Sequence, residues 1–160
     1  SSLDHTVVCP TGFFSDMEEF LSMARSGRVY LFGDGSSRIN PIHGADLAEV
    51  CADVLESAEN QIDVGGPEVF TYRQIAELAF DVLEQPEKIM CVPKSLVSAT
   101  VGAKRWLTPA KVYGPLEFMA SVMTMDVIGE AYGQRRLADH FRDCGGSIGS
   151  KSREDHPLPV

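Results

Sequence analysis

The sequence predicts an α/β domain with a small, partly parallel sheet and helices packed against it. Short β-branched runs alternate along the chain with segments whose apolar residues recur at helical spacing, and this alternation is typical of α/β layers. With 160 residues, 44% of them hydrophobic, the chain is long enough to bury roughly 70% of its unfolded surface in one core. We expect a single domain over residues 1–144 and a Gly-, Ser- and Pro-rich tail over residues 145–160.

The first predicted strand covers the β-branched run His5–Cys9 and ends at Pro10, which cannot donate to a sheet ladder. A helix is expected next, because Ser15 and Glu18 have the spacing of a capping box, in which each residue satisfies a free backbone N–H of the other. Gly27 supplies the C-terminal stop of that helix.

A hairpin is predicted where Val29–Phe32 and Arg38–Ile42 flank the loop Gly33–Ser37, whose glycines can adopt positive φ. Apolar residues recur at helical spacing over Ala45–Leu55, which predicts a second helix. The run Gln61–Val64 predicts a strand, since two glycines and a proline stop it.

The second half of the chain continues the alternation. The segment Thr71–Gln74 forms another capping box at the start of a helix, and Lys88–Val92 is a further strand candidate. Pro93 and Pro109 each occupy a position typical of the first turn of a helix, so two more helices are expected. A last short helix is predicted over Gln134–Phe141.

Charge and cysteine content exclude several classes of function. The chain carries 14 Lys and Arg against 23 Asp and Glu, a formal net charge of −9. Phosphate binding requires clustered cations, so we expect no nucleic-acid partner. No stretch approaches the roughly 20 apolar residues of a membrane helix, so no membrane partner is expected. The four cysteines lie among apolar neighbours without a CxxC pair, which indicates buried thiols in a reducing cytoplasm.

Three motifs then occur in a recognisable order. The first motif is Val7–Phe14 (VVCPTGFF). The second has three parts, which are Phe32–Gly35 (FGDG), Ile39–His43 (INPIH) and Asp46–Ala48 (DLA). The third is Val64–Glu68 (VGGPE). Together they resemble the second half of an atypical, NmrA-like or divinyl-reductase-like short-chain dehydrogenase/reductase. The resemblance implies a partial Rossmann-like fold, in which this chain is the substrate-side half of an NAD(P)-dependent oxidoreductase.

The chain lacks the two motifs that the resemblance implies for the other half. No strand is followed by GxGxxG or GxxGxxG, the loop through which a backbone approaches a pyrophosphate. No tyrosine begins a Tyr-x-x-x-Lys pair, and Tyr132 is followed by Arg136, although arginine is a poor proton relay. We therefore predict no catalytic residue and no cofactor for the chain alone, and NAD(P) if the missing half is supplied.

The resemblance implies cofactor contact at the end of the first strand. Ligands of α/β folds gather at the carboxyl ends of the strands, and residues there would face the nicotinamide end of NAD(P). The candidates are Pro10, Thr11, Gly12 and Phe13. The alternative is a strand terminator followed by core residues.

Substrate contact is implied for the entry to the second and third helices. The candidates are Asn40, His43, Asp46 and Tyr72. Imidazole titrates near neutrality, so His43 could donate a proton, but a helix cap is the alternative. The helix dipole alone explains an acidic residue such as Asp46 in a first turn. An apolar half-cleft suits a hydrophobic small molecule; its residues are Phe13, Phe14, Tyr72 and Met119.

Two further patterns are interpreted as chance. Gly145–Gly149 spells GxSxG, but no strand precedes its serine, so esterase chemistry is not expected. His140 and Cys144 have the i, i+4 spacing of one helix face. Two ligands without a carboxylate or a second histidine are too few for zinc, so no metal site is predicted.

These observations predict a catalytically incomplete domain, derived from such a reductase, that acts as an oligomerising or small-molecule-binding module. In the parent sheet the first strand would pair with a strand that this chain does not contain. An open β-branched edge invites pairing, so a homodimer or another homo-oligomer is expected. The alternative is the C-terminal, substrate-binding fragment of a longer NAD(P)-dependent oxidoreductase.

Overall fold

Strands and helices alternate along the chain, as the α/β class requires. The computed structural model describes residues 5–54, 60–93 and 121–146. The strands are β1 (Val7–Pro10), β2 (Val29–Phe32), β3 (Arg38–Ile39), β4 (Gln61–Gly65), β5 (Phe70–Thr71), β6 (Ile89–Val92) and β7 (Glu130–Ala131). The helices within the described ranges are α1 (Phe14–Arg25), α2 (Gly44–Asp53), α3 (Tyr72–Val82) and α4 (Leu137–Gly146).

The largest sheet is parallel and has the order β1-β4-β7. β1 pairs with β4 in the register Val7 opposite Gln61 to Pro10 opposite Val64. β7 joins the other side of β4. β1 is thus an edge strand within the described residues, and its carboxyl end lies beside the carboxyl end of β4.

The predicted hairpin between Val29–Phe32 and Arg38–Ile42 is wrong. β2 pairs in parallel with β6, while β3 pairs antiparallel with β5. The side chains of Val29 and Leu31 are completely buried, so β2 belongs to the core rather than to a surface ribbon. The loop glycines do adopt positive φ, 77° at Gly33 and 76° at Gly35.

Most of the core lies among α1, α3, α4 and β2. Three phenylalanines are less than 2% exposed: Phe20 on α1, Phe80 on α3 and Phe141 on α4. A second, smaller cluster forms beneath α2 and contains Ile42, Val50, Ile62 and Val64. Burial of these apolar side chains is the main force that holds the helices on the sheets.

The start of α1 differs from the predicted capping box. The helix begins at Phe14, and the backbone N–H of Phe13 donates to Asp16 Oδ2 at 3.2 Å. Glu18 therefore takes no part in the cap. The second capping box is confirmed, because Thr71 N donates to Gln74 Oε1 at 2.8 Å and Gln74 N donates to Thr71 Oγ1 at 3.1 Å.

The four cysteines are free, but the prediction that all are buried is wrong. Cys51 and Cys91 are exposed, whereas Cys9 and Cys144 are partly buried. α2 buries Asp46 and Val50, and Leu47 and Val54 of the predicted apolar stripe pack against the same small cluster, whereas Cys51 is exposed. None of the described helices has the length and apolar character needed to cross a membrane.

Several predictions concern other parts of the chain. Three of them fall outside the described residues. They are the helices expected after Pro93 and Pro109, the part of the GxSxG motif beyond Gly146, and residue 119 of the proposed half-cleft. The last helix runs over Leu137–Gly146 instead of Gln134–Phe141, so it begins later and continues into the segment that was expected to be tail.

Candidate functional site

The end of β1 and the segment before α2 run side by side, so the structure brings the two predicted sets of site residues together. Thr11 Oγ1 donates to the carbonyl of Asn40 at 2.6 Å, and Ile42 N donates to the carbonyl of Gly12 at 2.9 Å. The last residue of β1 and the three that follow it are all half-buried at this surface, namely Pro10, Thr11, Gly12 and Phe13. Their contact with a nicotinamide remains a prediction.

Asn40 is at the centre of this region, with only 1% of its surface exposed. Its Nδ2 donates to the carbonyls of Gly66 at 3.2 Å and Gly129 at 3.0 Å, and its Oδ1 accepts from Gly129 N at 3.0 Å. All the hydrogen-bonding groups of this amide except one acceptor lone pair are engaged with backbone. Asn40 therefore joins three chain segments, and contact with a substrate remains a prediction.

Asp46 is buried, with 2% of its surface exposed, yet it is ionised. Its Oδ2 accepts from the backbone N–H groups of Gln134 at 3.2 Å and Arg135 at 3.1 Å, and its Oδ1 forms an ion pair with the Arg135 guanidinium. Burial raises the pKa of Asp46, but the backbone and side-chain hydrogen bonds from Arg135 together outweigh it, so the pKa lies below its usual value. The carboxylate anchors the loop before α4.

His43 caps α2 and contacts two other rings. Its Nδ1 accepts from Ala45 N at 3.1 Å, so its other nitrogen carries the proton when the ring is neutral. The His43 ring lies 5.7 Å from the ring of Phe14 and 5.6 Å from that of His140, centroid to centroid. The helix cap that the sequence offered as an alternative is therefore present, and proton donation to a substrate stays a prediction.

Tyr72 lies apart from the other candidates. Its side chain is 2% exposed and stacks on Phe20 within the main core, and burial raises its pKa to about 12. Phe14 is likewise buried, at 3% exposure. Of the residues proposed for an apolar half-cleft, only Phe13 is partly accessible within the part of the chain that is described.

Two open clefts flank the loop that Asp46 anchors. One, of ≈ 560 Å³, lies between α2 and the loop and is lined by residues that include Glu49, Asp53 and Arg135. The other, of ≈ 350 Å³, is lined by His43, Arg136, Asp139 and His140 among others. Most of these walls are charged, so the surroundings of His43 and Asp46 suit a polar ligand better than an apolar one.

The starts of α1, α2 and α3 use some of their backbone N–H groups in internal hydrogen bonds. An anion at such a site needs free backbone N–H groups. At α1 these groups are taken by the Asp16 carboxylate and the Ile42 carbonyl. At α2 and α3 they are taken by His43 and Thr71.

Sequence reasoning missed a third residue beside His140 and Cys144. Glu18 Oε1 lies 2.9 Å from His140 Nε2, and Cys144 Sγ lies 3.8 Å from the same nitrogen. Burial, together with the nearby Glu18 carboxylate, raises the pKa of the Cys144 thiol. No pattern in the sequence joins residues more than 120 positions apart, so this cluster emerges only from the packing of α1 on α4.

Comparison with solved structures identifies the fold. NADPH-dependent quinone oxidoreductase QOR2 from Escherichia coli, solved with NADPH, matches with a TM-score of 0.58 at 15% sequence identity, over 83% of this chain and 50% of that chain. The protein gox2253 matches with a TM-score of 0.58 at 15% identity, over 91% of this chain and 49% of that chain. This is a partial short-chain dehydrogenase/reductase fold. The predicted resemblance and α/β class are thereby confirmed.

Part of the chain is also similar in sequence to a curated protein. NADH dehydrogenase (ubiquinone) 1 alpha subcomplex subunit 9, mitochondrial, from Arabidopsis thaliana is 28% identical over 94 residues. The match covers 56% of this chain and 23% of that protein. No protein-family model matches. The match thus spans about a quarter of this relative, and the chain spans about half of each of the two solved structures.

Proposed function

We propose that this chain is a catalytically incomplete, substrate-side module of a reductase fold, and that a second polypeptide completes its sheet. The observation that carries the proposal is the position of β1 at the sheet edge, with no strand on its outer side within residues 5–54, 60–93 and 121–146. Parallel sheets are normally covered on both faces and extended on both sides of their central strands. The Val7 side chain on this strand is 47% exposed.

A second apolar surface supports the same proposal. Tyr30 and Met90 lie opposite each other in the β2–β6 register, and they are 44% and 47% exposed. Val29 and Leu31, which point the other way, are completely buried. One face of this parallel pair is thus packed while the other presents an aromatic and a methionine side chain, a combination that is frequent at protein interfaces.

The polar groups near β1 support binding rather than proton transfer. Within the described ranges, no buried side-chain nitrogen or oxygen lacks a hydrogen-bond partner. The buried Asn40 and Asp46 are committed to backbone groups and to Arg135. A general acid or base must be able to exchange a proton with a substrate, and these two side chains are used to hold the loops in place.

The second polypeptide in this proposal is another copy of the chain. Light scattering coupled to size exclusion at micromolar concentration should give twice the 17.4 kDa mass of one chain. Val7→Lys should shift the distribution to the monomer, because a charge on an edge strand opposes pairing. Val69→Lys is the matched control, since Val69 is also exposed, at 50%, but lies outside the strands. A wild-type monomer contradicts self-association.

Cofactor dependence tests the catalytic part of the proposal. Calorimetric titration of the chain with NADPH should show no saturable binding, because no strand in the sequence is followed by a GxGxxG or GxxGxxG loop. Submillimolar binding by the chain alone would contradict the proposal. If the chain is instead the C-terminal fragment of a longer NAD(P)-dependent oxidoreductase, NADPH binding should appear only with the complete protein, and the nicotinamide end should then shield the amides of Thr11, Gly12 and Phe13 from hydrogen exchange.

In a second candidate function, the partner is a different protein rather than another copy of this chain. The Arabidopsis relative is by its name a subunit of a larger complex, and this likeness supports the candidate. Native electrophoresis of an extract should then place the chain in a band far heavier than a dimer. The proposal also includes the cytoplasmic location expected from the cysteines, which cell fractionation tests. It further includes the binding of an apolar small molecule, which native mass spectrometry tests.

A further inference from the structure

We propose that Glu18, His140 and Cys144 form a binding site for one divalent transition-metal ion, with Zn²⁺ as the best match and one coordination position left to water. The site is separate from the open edge of β1, and it does not depend on the function proposed above. Of the described residues, these three alone place metal-ligating atoms from at least three His, Cys, Asp or Glu side chains together.

The distances are close to those of a tetrahedral zinc site. The three ligand atoms all lie within 4.8 Å of one another. Zn–N and Zn–O bonds of about 2.1 Å and a Zn–S bond of about 2.3 Å place tetrahedral ligands about 3.4–3.6 Å apart. His140 Nε2 is 2.9 Å from Glu18 Oε1 and 3.8 Å from Cys144 Sγ. The Glu18 and Cys144 ligand atoms lie within 4.8 Å of each other, so seating the ion requires these two side chains to approach by up to about 1 Å.

Two packed helices hold the ligands. His140 and Cys144 are one turn apart on α4, so their side chains share a face. Glu18 lies on α1, between the buried residues Met17 and Phe20 that fix the helix in the core. Ligands on rigid helices keep their geometry better than ligands on loops. The Phe14 ring, 5.5 Å from the His140 ring, limits the rotation of the imidazole.

The donor set selects the class of metal. One thiolate, one imidazole and one carboxylate suit Zn²⁺ and the chemically similar Co²⁺, whereas Ca²⁺ and Mg²⁺ require oxygen ligands. The two negative charges of Glu18 and an ionised Cys144 balance a divalent ion. On binding, the thiol releases its proton, and His140 Nε2, which donates its hydrogen to the Glu18 carboxylate in the metal-free chain, passes that proton to solvent or to Nδ1 so that its lone pair can ligate the metal.

The surroundings leave room for a fourth ligand. The Glu18 side chain is 45% exposed and that of His140 is 20% exposed. An open cleft of ≈ 580 Å³ borders Glu18 and Cys144 and is also lined by Asp16 and Glu19, which add negative charge beside a cation. The Arg25 guanidinium donates to the backbone carbonyl of Cys144 at 2.8 Å, so it is held by the peptide group and not by the thiol.

Without a metal, the same residues amount to an exposed Glu–His ion pair beside a thiol. Such a pair contributes little to stability, about 0–1 kcal/mol. The two interpretations differ in what the thiol does: in the metal site it is a ligand, and in the ion pair it is only a neighbour. The decisive experiment therefore detects whether the Cys144 sulfur is bonded to the metal ion.

Titration of the full 160-residue chain with Co²⁺ tests the proposal. We expect saturation at one ion per chain, with the intense visible bands of tetrahedral cobalt and a thiolate-to-cobalt charge-transfer band in the near ultraviolet, both removed by an equivalent of Zn²⁺. Cys144→Ser should abolish the charge-transfer band, and His140→Gln and Glu18→Gln should each weaken binding at least tenfold. Cys51→Ser and Glu87→Gln, both at exposed positions, are the matched controls and should bind as the wild type does.

A measurement on the wild-type chain covers the case in which a ligand variant fails to fold. Zn²⁺ should slow alkylation of Cys144 by iodoacetamide at least tenfold, followed by peptide mass spectrometry, while the exposed Cys51 serves as the internal reference. Equal protection of both cysteines, a charge-transfer band that persists in Cys144→Ser, or saturation without that band overturns the proposal.

Discussion

Asn40 and Gly129, 89 residues apart, exchange two hydrogen bonds: Asn40 Nδ2 donates to the carbonyl of Gly129, and Gly129 N donates to Asn40 Oδ1, both at 3.0 Å. The side-chain amide thus pairs with a peptide group as a neighbouring strand would. This contact ties the segment before β7 to the segment between β3 and α2. The arrangement of both sides of the candidate site depends on it.

Asn40→Asp should destabilise the fold by about 3 kcal/mol or more. The carboxylate cannot donate to the carbonyls of Gly66 and Gly129, and its charge would be buried against them. Urea unfolding at neutral pH measures the effect. Asn60→Asp is the control, because Asn60 is exposed; an equal loss in both variants would show that the buried amide contributes nothing specific.

Asp46→Asn should lower the free energy of unfolding by about 2–3 kcal/mol at pH 7, since the buried carboxylate accepts charge-assisted bonds from Arg135 and Gln134. The pKa of Asp46 is lowered in the folded chain from an ordinary value of 3.8. Its contribution is therefore fully present above pH 3.8 and is lost as the pH falls below it. The gap between wild type and variant should shrink as the pH falls below 3.8, and a constant gap would contradict the assignment.

Gly133→Ala should destabilise the fold more than Gly27→Ala does. Both glycines have a positive φ, 79° and 84°, so both substitutions carry a backbone cost of about 1 kcal/mol. A Cβ at Gly133 would also overlap the carboxyl group of Asp46, whereas nothing lies within 4 Å of a Cβ at Gly27. Thermal unfolding of the two variants isolates the steric part, and equal melting temperatures would refute it.

Tyr72→Phe should make the fold more resistant to alkali. Burial raises the pKa of Tyr72 to about 12, from 10.0. Because the unfolded chain loses the phenolic proton first, stability falls as the pH rises from 10 towards 12. By pH 11 the wild type should have lost about 1 kcal/mol relative to the variant. Tyr30→Phe, at an exposed position, is the control in the same unfolding series; a change as large there would rule out burial as the cause.

Local patterns in the sequence were sufficient for much of the fold. Gly27 ends α1 with a positive φ, and Thr71 and Gln74 cap α3 as their spacing predicts. The positions of β1, β4 and β6 also follow from short apolar runs between Gly and Pro. These features involve residues within a few positions of each other, so neighbouring side chains and backbone torsions determine them.

The main error of the sequence-based prediction concerns which strands pair with each other. The sequence predicts a hairpin for β2 because Gly33 and Gly35 follow it directly, but β2 pairs with β6, about 60 residues later. The glycines do form a turn, but the completely buried Val29 and Leu31 decide where the strand lies. The spacing of apolar residues predicts that a strand has a buried face, but it does not predict which other strand pairs with it.

The α/β class, the helix caps and the resemblance to half of a reductase are properties of the sequence itself, because each depends on residue types at short spacing. Only the tertiary structure decided that Arg135 neutralises Asp46, that Tyr72 belongs to the core and that Glu18 lies against His140. Those contacts join residues on separate elements, and their geometry is set by the packing of whole helices and sheets, which no local spacing encodes.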